Sequence, residues 1–336
     1  MYIIAAIMAF GLLILIHELG HFTLAKINGV VVEEFAIGMG PQLFSIKGKE
    51  TKYSIRLLPI GGYVKMLGDE GESTDIRAFN NKSPIRKLSI VAAGPIMNFI
   101  LGVFLFSIIA FQKGCIVPII DKTIANKPAQ QVGLKAGDEI IKVNNSRVFI
   151  WQDFQTEVYM NGGNTLNITY KRGNQIKSVS VKPELDESKK GYIIGVYGKE
   201  ILNPSIGRSI TYGFLETRSL INQTFKFFKT LFIGRANMND VGGPVTIIKL
   251  SGAAAKAGIF TLMAFCAYIS IQLAIFNIIP FPALDGGYIL LFLFELITGK
   301  KVDQNKVGMI NYFGFAILMM LMVLVTVKDI IHPIQF

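Results

Sequence analysis

The 336-residue sequence predicts a polytopic α-helical membrane protein with four transmembrane helices, a membrane-associated β-hairpin and one exported, β-rich domain. Three observations predict this fold class. The chain is 51% hydrophobic with a mean hydropathy of +0.47, which is too apolar for an ordinary soluble protein. Four stretches are long and apolar enough to cross a bilayer. A long polar segment with short alternating apolar runs separates the second stretch from the third.

The four predicted spans are residues 1–25, 88–112, 257–284 and 307–327. Each has about the 20 predominantly apolar residues that a transmembrane helix needs. The first span has no basic segment before it and no small-residue cleavage pattern, and Lys26 follows it directly. We therefore expect a retained helix and not a secretory signal peptide.

Lysine and arginine residues in the loops predict the orientation of the spans. Ten lie between the first two spans, and Lys300, Lys301 and Lys306 lie between the third and fourth. We therefore expect both loops in the cytoplasm, and both termini and residues 113–256 outside it. The net charge of +11 is spread over the membrane surface and an exported domain, and no compact basic cluster with interleaved aromatic residues predicts a nucleic-acid partner.

Residues 51–69 alternate in two short runs around Pro59, Gly61 and Gly62, which predicts two strands joined by a turn. Two interpretations of this hairpin stay open. It is an ordinary cytoplasmic hairpin, or it is a sheet that dips back into the membrane where other protein covers its backbone.

Residues 114–200 read as a separate domain of short strands and two short helices. Residues 129–148 predict a short helix, a turn at Gly137-Asp138, a strand over "EIIKVN" (139–144) and a second turn at Asn144-Asn145. A second helix is predicted over 153–163 and a hairpin over 165–183. The stretch "GLKAGDEIIKVN" resembles the core motif of PDZ domains. A PDZ domain implies a peptide ligand added to a sheet edge, or a steric filter, and the residues do not choose between the two.

The remaining segments complete the predicted domain boundaries. Apolar and basic residues alternate in 214–232, which fits a helix on the outer membrane surface or a helix packed on the PDZ-like domain. Cys115 and Cys266 are far apart in sequence and predict no disulfide framework. The predicted divisions are 1–112 for the first two spans and the hairpin, 113–203 for the PDZ-like domain, 204–256 for an amphipathic helical linker and 257–336 for the last two spans.

The first span contains His17-Glu18-Leu19-Gly20-His21 within an otherwise apolar run. On a helix, positions i and i+4 share a face, so two imidazoles can bind one Zn²⁺ while Glu18 reaches its water. Zinc lowers the pKa of that water, and the glutamate takes the proton as the water attacks a peptide carbonyl. Ionisable groups at membrane depth cost roughly 2.5–3.5 kcal/mol each, so three together indicate function more strongly than a buried core histidine.

A catalytic zinc needs a third protein ligand, and Asp285 is the better candidate. His332 is the only other histidine, and it lies at the far end of the chain. Pro280 and Pro282 shorten the third span, so that Asp285 and His17 both fall towards the cytoplasmic side. Gly286 and Gly287 permit a close backbone approach. A simple turn at the end of a span is the alternative interpretation of this motif.

These motifs together resemble the site-2 protease family of intramembrane zinc metalloproteases, in the order of its bacterial branch. They are HExxH in the first span, "GPIMNF" (94–99) in the second, "NIIPFPALDGG" (277–287) in the third, and one PDZ-like insertion. The resemblance covers essentially the whole chain. It implies His17, His21 and Asp285 as Zn²⁺ ligands and Glu18 as the catalytic base.

The same resemblance implies how a substrate is held. Asn277 and Asn98 would bind the substrate backbone, and Gly61, Gly62 and Tyr63 would belong to a membrane-associated hairpin that offers an edge strand to an unwound substrate helix. The best-known bacterial members carry two tandem PDZ domains, whereas one fits here. Substrate gating is therefore expected to differ.

The same resemblance implies zinc-dependent intramembrane proteolysis in a bacterial inner membrane. The expected substrates are single-pass proteins whose exported part another protease has trimmed, such as anti-sigma factors or remnant signal peptides. Its expected partners are transmembrane substrates, the lipid bilayer and a peptide ligand at the PDZ-like domain. One alternative is a catalytically inactive scaffold that binds exported peptides. Another is a zinc transporter, which fits poorly with one glutamate-flanked site and three histidines.

Overall fold

The computed structural model describes residues 2–69, 71, 73–186, 191–233 and 242–332. It divides into two compact units. One unit comprises Met1–Gly102 with Thr224–Phe336, and the other comprises Val103–Gln223.

The helices and strands are as follows in chain order. The helices are α1 (Tyr2–Ile27), α2 (Pro84–Lys113), α3 (Pro128–Gln131), α4 (Trp151–Met160), α5 (Ile206–Phe232), α6 (Pro244–Ala257), α7 (Ile259–Ile278), α8 (Asp285–Thr298) and α9 (Gln304–Ile331). The strands are β1 (Val32–Lys47), β2 (Lys52–Met66), β3 (Cys115–Thr123), β4 (Glu139–Val143), β5 (Ser146–Arg147), β6 (Leu166–Arg172), β7 (Gln175–Val181), β8 (Glu184–Asp186), β9 (Gly191–Ile193) and β10 (Val196–Ile201).

Within the described residues, four helices are long and apolar enough to cross a membrane. They contain Met8–Ile27, Pro84–Lys113, Ile259–Ile278 and Asn305–Ile331. The four spans predicted from the sequence are therefore confirmed by length and composition. The third helix ends at Ile278 and not at residue 284, because Pro280 and Pro282 cannot continue a helix.

Helix α8 lies in the segment between the third and fourth spans, where the sequence predicts a loop. This prediction is wrong. Its 14 residues are apolar but fall short of the roughly 20 needed to cross a bilayer, so a search for spans passed over it. Asp285 is its first residue, and Gly299 follows its end in the left-handed conformation that commonly terminates helices. The helix thus carries the predicted third ligand at its N-terminus.

The first unit also contains a sheet made by β1 and β2. Residues 34–37 pair with 62–65 on one side and with 52–55 on the other. The two runs predicted within 51–69 are therefore strands, but they do not pair with each other as the predicted hairpin required. Part of β1 lies between them, a long-range pairing that the local alternation of residues 51–69 does not encode.

Buried apolar side chains pack this sheet against the helices. Ala25 of α1, Phe35 of β1, Ile90 of α2 and Phe292 of α8 belong to one buried cluster. The cluster holds together the three helices that carry the predicted site residues of the HExxH, GPIMNF and LDGG motifs.

The second unit is a β-rich domain with two short helices. Its main sheet has the order β10-β3-β4-β6-β7, β5 pairs with β4, and β8 pairs with β9. Helices α3 and α4, strand β4 and the β6–β7 hairpin occur where the sequence predicts them. Asn144 adopts a positive φ of 51°, in keeping with the predicted turn.

The predicted linker over 204–256 is not one element. Helix α5 covers Ile206–Phe232, and α6 begins separately at Pro244. Within the second unit, Ser219 of α5 donates a hydrogen bond to Asp153 of α4. This contact supports the interpretation of the first part of α5 as packed on the β-rich domain.

Candidate active site

The two histidines of the HExxH motif lie on one face of α1, against α2. Gly20 lets the two helices approach, because a Cβ there would lie 2.5 Å from the carbonyl oxygen of Ala93. Gly94 faces the imidazoles directly, and a Cβ at Gly94 would lie 2.7 Å from Nε2 of His17 and closer still to Nε2 of His21. Two glycines therefore make the space that the imidazole rings occupy.

Asp285 of α8 completes a cluster of three ligand atoms. Its Oδ2 lies 3.1 Å from Nε2 of His17 and 3.5 Å from Nε2 of His21, and the two Nε2 atoms are 3.1 Å apart. Three corners of a tetrahedron with metal bonds of about 2.0–2.1 Å are about 3.3–3.4 Å apart. The triangle of donor atoms therefore has the size of one face of a zinc coordination sphere.

The donor atoms also have the chemistry that a cation requires. His21 Nδ1 lies 2.9 Å from the carbonyl oxygen of Ile90, which can only accept a hydrogen bond. Nδ1 therefore carries the proton, and Nε2 presents a lone pair to the cluster. Oδ2 of Asp285 is buried without a hydrogen-bond partner within the described residues. Nε2 of His21 and Oδ2 of Asp285 therefore offer lone pairs that converge on one point, which fits Zn²⁺.

The turn before Asp285 is fixed by its own backbone and by α9. Gly286 and Gly287 leave no room for a Cβ, since one at Gly287 would lie 2.6 Å from the carbonyl oxygen of Phe281. Ala283 has a φ of 71°, unfavourable for a residue with a Cβ. Its N–H donates to Oδ1 of Asn311 at 3.1 Å. Side-chain contacts from α9 thus help hold the ligand's turn in a strained shape.

Glu18 lies next to residues 62–66, which form an edge of the β1–β2 sheet and are called the edge segment below. A Cβ at Gly62 would lie 3.0 Å from Cγ of Glu18, so the glycine allows the sheet to reach this side chain. Gly61 has a φ of 85°, in the left-handed region that favours glycine. The predicted base therefore lies beside the segment predicted to bind substrate.

Tyr63 is held by a polar cluster inside the same sheet. Its hydroxyl donates to Glu34 at 2.7 Å, and Ser54 and Arg56 donate to the same carboxylate. Burial raises the pKa of Glu34, but these three hydrogen bonds outweigh it and bring the pKa to about 2. Burial, together with the hydrogen bond to Glu34, raises the pKa of Tyr63 to about 12.

The two predicted substrate-binding asparagines lie in different environments. Asn98 is fully buried, and its Nδ2 lies 3.2 Å from Nδ1 of His17. Asn277 is half-buried in the last turn of α7 and has no side-chain hydrogen bond within the described residues. The cluster thus brings His17, Asp285 and Asn98 together, while Asn277 lies one residue before the end of its helix.

The roles of several residues around the site were not predicted from the sequence. Gly94 was noted only as part of a motif, although a glycine before a proline in a span was a usable signal. Asn311 is a polar residue within the fourth span, and such residues are costly enough to indicate a role. The buried pair Lys87–Glu295, with Nζ and Oε2 3.6 Å apart, joins α2 to α8. Only the fold could have revealed that pair.

Apolar helices that bring an HExxH motif and a carboxylate together are typical of a membrane-embedded zinc metalloendopeptidase. The model of peptidase family M50 matches residues 5–321, and the chain belongs to this family of site-2 proteases. It is an intramembrane protease that uses Zn²⁺.

Known proteins similar to this chain carry corresponding names. A protein of Clostridium acetobutylicum named as a zinc metalloprotease is 54% identical over 99% of this chain and 98% of its own length. The regulator of sigma-W protease RasP from Bacillus subtilis is 30% identical over 98% of each chain. Among solved structures, the PDZ domain of an SdrC-like protein from Listeria monocytogenes is 26% identical, covering 24% of this chain and 84% of that chain, with a TM-score of 0.22.

Proposed function

We propose that His17, His21 and Asp285 hold the catalytic zinc and that Glu18 is the general base. The single observation that carries this assignment is the triangle of donor atoms, with separations of 3.1, 3.1 and 3.5 Å. Zinc held there supplies Lewis acidity towards a water molecule and a peptide carbonyl. Glu18 accepts the proton that the attacking water loses and passes it to the amine that leaves.

The proposed substrate is a single-pass membrane protein whose helix unwinds near the site. A peptide carbonyl within a helix is hydrogen-bonded and hidden, and freed backbone groups cost several kcal/mol each in hydrocarbon. Residues 62–66 pair with β1 on one side, and no strand of the described sheet pairs with their other side. An unwound substrate segment can pair with that edge. This supports a sheet that enters the membrane beside Glu18.

The positions of the remaining predicted residues support substrate-holding roles. Gly62 lets the edge segment lie against Glu18, Gly61 beside it has a left-handed backbone, and the hydroxyl of Tyr63 donates a hydrogen bond to Glu34. Asn277, free of side-chain partners within the described residues, would bind the substrate backbone at the end of α7. Asn98 was predicted to share this role. Anti-sigma factors and remnant signal peptides both suit such a site.

The proposed orientation places the active site towards the cytoplasm of a bacterial inner membrane. The loops rich in lysine and arginine, before α2 and before α9, support this arrangement. Both termini and the β-rich unit would then lie outside the cytoplasm. There the β-rich unit can bind the exported part of a substrate before cleavage.

The β-rich unit is proposed to be a PDZ-like domain that binds peptide. A cavity of about 280 Å³ lies between α4 and the segment from Tyr192 to Tyr197, lined by Trp151, Phe154 and Gln155 among others. Apolar walls of this size suit a side chain of a short extended peptide.

Peptide binding in this cavity is tested with one variant that fills the cavity and one that does not. Gln155→Trp would obstruct the cavity, whereas the exposed Gln152 lies on the same helix and is not among its lining residues. We expect Gln155→Trp to slow cleavage of a substrate with a trimmed exported end, and Gln152→Trp to leave the rate unchanged. Equal rates would overturn peptide binding and support a steric filter.

The protease assignment is tested with purified full-length protein and a model transmembrane substrate. Glu18→Gln should lower the cleavage rate by at least about 100-fold, the minimum usual for loss of a general base, while the bound zinc is retained. Glu33→Gln is the matched control, because Glu33 is exposed on β1 outside the site. Cleavage that survives Glu18→Gln would overturn the mechanism. Zinc binding without cleavage in wild type would favour an inactive scaffold.

A further inference from the structure

One stripe of α2 faces the ligand imidazoles. Ile90, Gly94 and Asn98 are spaced four residues apart, so they lie on one face of the helix. Ile90 contributes its carbonyl oxygen to Nδ1 of His21, Gly94 contributes the space, and Asn98 contributes its side-chain amide to Nδ1 of His17. Both ligand histidines therefore meet α2 through the ring nitrogen that points away from the cluster.

The hydrogen bond at Nδ1 decides what Nε2 can do. A neutral imidazole carries one proton, so a ring that donates from Nδ1 leaves a lone pair on Nε2. The Ile90 carbonyl enforces this state for His21. For His17, an amide nitrogen that donates to Nδ1 would place the proton on Nε2, aimed at the cluster, and Nε2 could not bind a metal.

Asn98 has the atom that resolves this conflict. Its Oδ1 is buried and has no hydrogen-bond partner within the described residues, while Nδ2 lies 3.2 Å from Nδ1 of His17. Half a turn of the terminal amide exchanges these two atoms. Oδ1 then accepts a hydrogen bond from Nδ1, and the Nε2 lone pair of His17 is free for the metal.

Other contacts keep Asn98 in place for this role. The residue is 0% exposed, and its backbone carbonyl accepts a hydrogen bond from the buried Ser270 of α7 at 2.9 Å. The side chain is thus enclosed next to His17. A buried amide held in this way can fix the orientation of an imidazole, as partners of metal-bound histidines commonly do.

We propose that Asn98 is a positioning residue for His17, whose amide oxygen accepts the Nδ1 proton and so fixes the tautomer that binds zinc through Nε2. The inference rests on the proposed zinc site. It assigns to Asn98 a role beyond the substrate contact predicted from sequence, and it predicts a defect in zinc affinity that a substrate contact would not produce.

The test measures zinc affinity of the detergent-solubilised full-length protein by competition with a chromophoric chelator. Asn98→Leu removes the acceptor at similar size, and we expect a loss of about 10- to 100-fold in zinc affinity. Asn98→Asp restores an acceptor, and we expect an affinity within about 3-fold of wild type. Ser251→Ala serves as the matched control, with affinity unchanged, because Ser251 is a buried serine whose hydroxyl donates to the carbonyl oxygen of Ile248 within α6, away from the site.

Each outcome has a defined meaning. Wild-type affinity in Asn98→Leu, or an equally weak Asn98→Asp, would overturn the inference while leaving the zinc site intact. If His17→Ala binds zinc as tightly as wild type, the proposed zinc site itself fails, and the inference fails with it. Thermal unfolding of each zinc-free variant separates a loss of folding from a loss of affinity. Should Asn98→Leu not fold, Asn98→Ala is measured against Asn98→Asp in the same way.

Discussion

Oδ2 of Asp285 lies 3.1 Å from Nε2 of His17, although the two residues come from opposite ends of the chain. The contact depends on α1 and α8 both packing against α2, which supplies the space at Gly94 and the buried partner Lys87. Helix α2 thus positions the three residues that are proposed to bind zinc.

Gly94→Ala should weaken zinc binding without unfolding the protein. The added Cβ would overlap the Nε2 atoms of both His17 and His21, so the rings must leave the cluster. We expect zinc affinity to fall by at least about 10-fold, measured by chelator competition. Gly252→Ala, in α6, is the matched control because its Cβ would meet no atom within 4 Å. Normal zinc affinity in Gly94→Ala would contradict the packing described.

Gly62→Ala should impair catalysis while zinc stays bound. The new Cβ would lie 3.0 Å from Cγ of Glu18 and 2.9 Å from the carbonyl oxygen of Ala36, so the edge segment must shift away from the base. Small displacements at a reacting centre can cost up to about 100-fold in rate, and we expect a loss of about 10- to 100-fold. Gly71→Ala, in open space, should cleave normally. A rate equal to wild type would argue against substrate binding at this edge.

Lys87→Met alone should destabilise the protein more than a double variant that removes both charges of the Lys87–Glu295 pair. Lys87 and Glu295 are 3% and 6% exposed, so removing the lysine leaves a buried carboxylate without its partner charge. Breaking such a pair costs about 3–5 kcal/mol. The double variant Lys87→Met/Glu295→Gln should recover most of that loss, because Gln still accepts the hydrogen bond from the N–H of Val302. Thermal unfolding in detergent measures both, and an additive double variant would contradict the pairing.

Glu34 should make the stability depend on pH in acid. Its pKa is lowered from 4.5 to about 2 in the folded chain, so its contribution is complete above pH 4.5 and is lost as the pH falls towards 2. We expect wild type to lose more thermal stability between pH 5 and about pH 3 than Glu34→Gln does. The exposed neighbour Glu33 provides the control, since Glu33→Gln should follow wild type. Parallel curves for wild type and Glu34→Gln would count against the polar cluster.

The sequence could predict those parts of the molecule that are written in local patterns. The i, i+4 spacing of His17 and His21 predicts a shared helix face, and the motif around Asp285 indicates the third ligand. The four long helices follow from apolar length. Local runs also predict strand β4, the β6–β7 hairpin and the two short helices of the β-rich unit.

The remaining features depend on contacts between distant segments. The pairing of residues 34–37 with two separate runs, the Lys87–Glu295 pair and the hydrogen bond from Ala283 to Asn311 each join segments far apart in the chain. Helix α8 was missed for a different reason, because a short apolar helix does not meet the length criterion for a span. Local propensity carries no information about the contacts between distant segments.

The central claim is that His17, His21 and Asp285 bind one zinc ion, and X-ray absorption at the zinc edge of the purified protein tests it most directly. We predict two imidazole nitrogens and carboxylate oxygen at about 2.0–2.2 Å in wild type, and one imidazole fewer or no zinc in His17→Ala. A spectrum without imidazole ligands, or one left unchanged by His17→Ala, would contradict the claim.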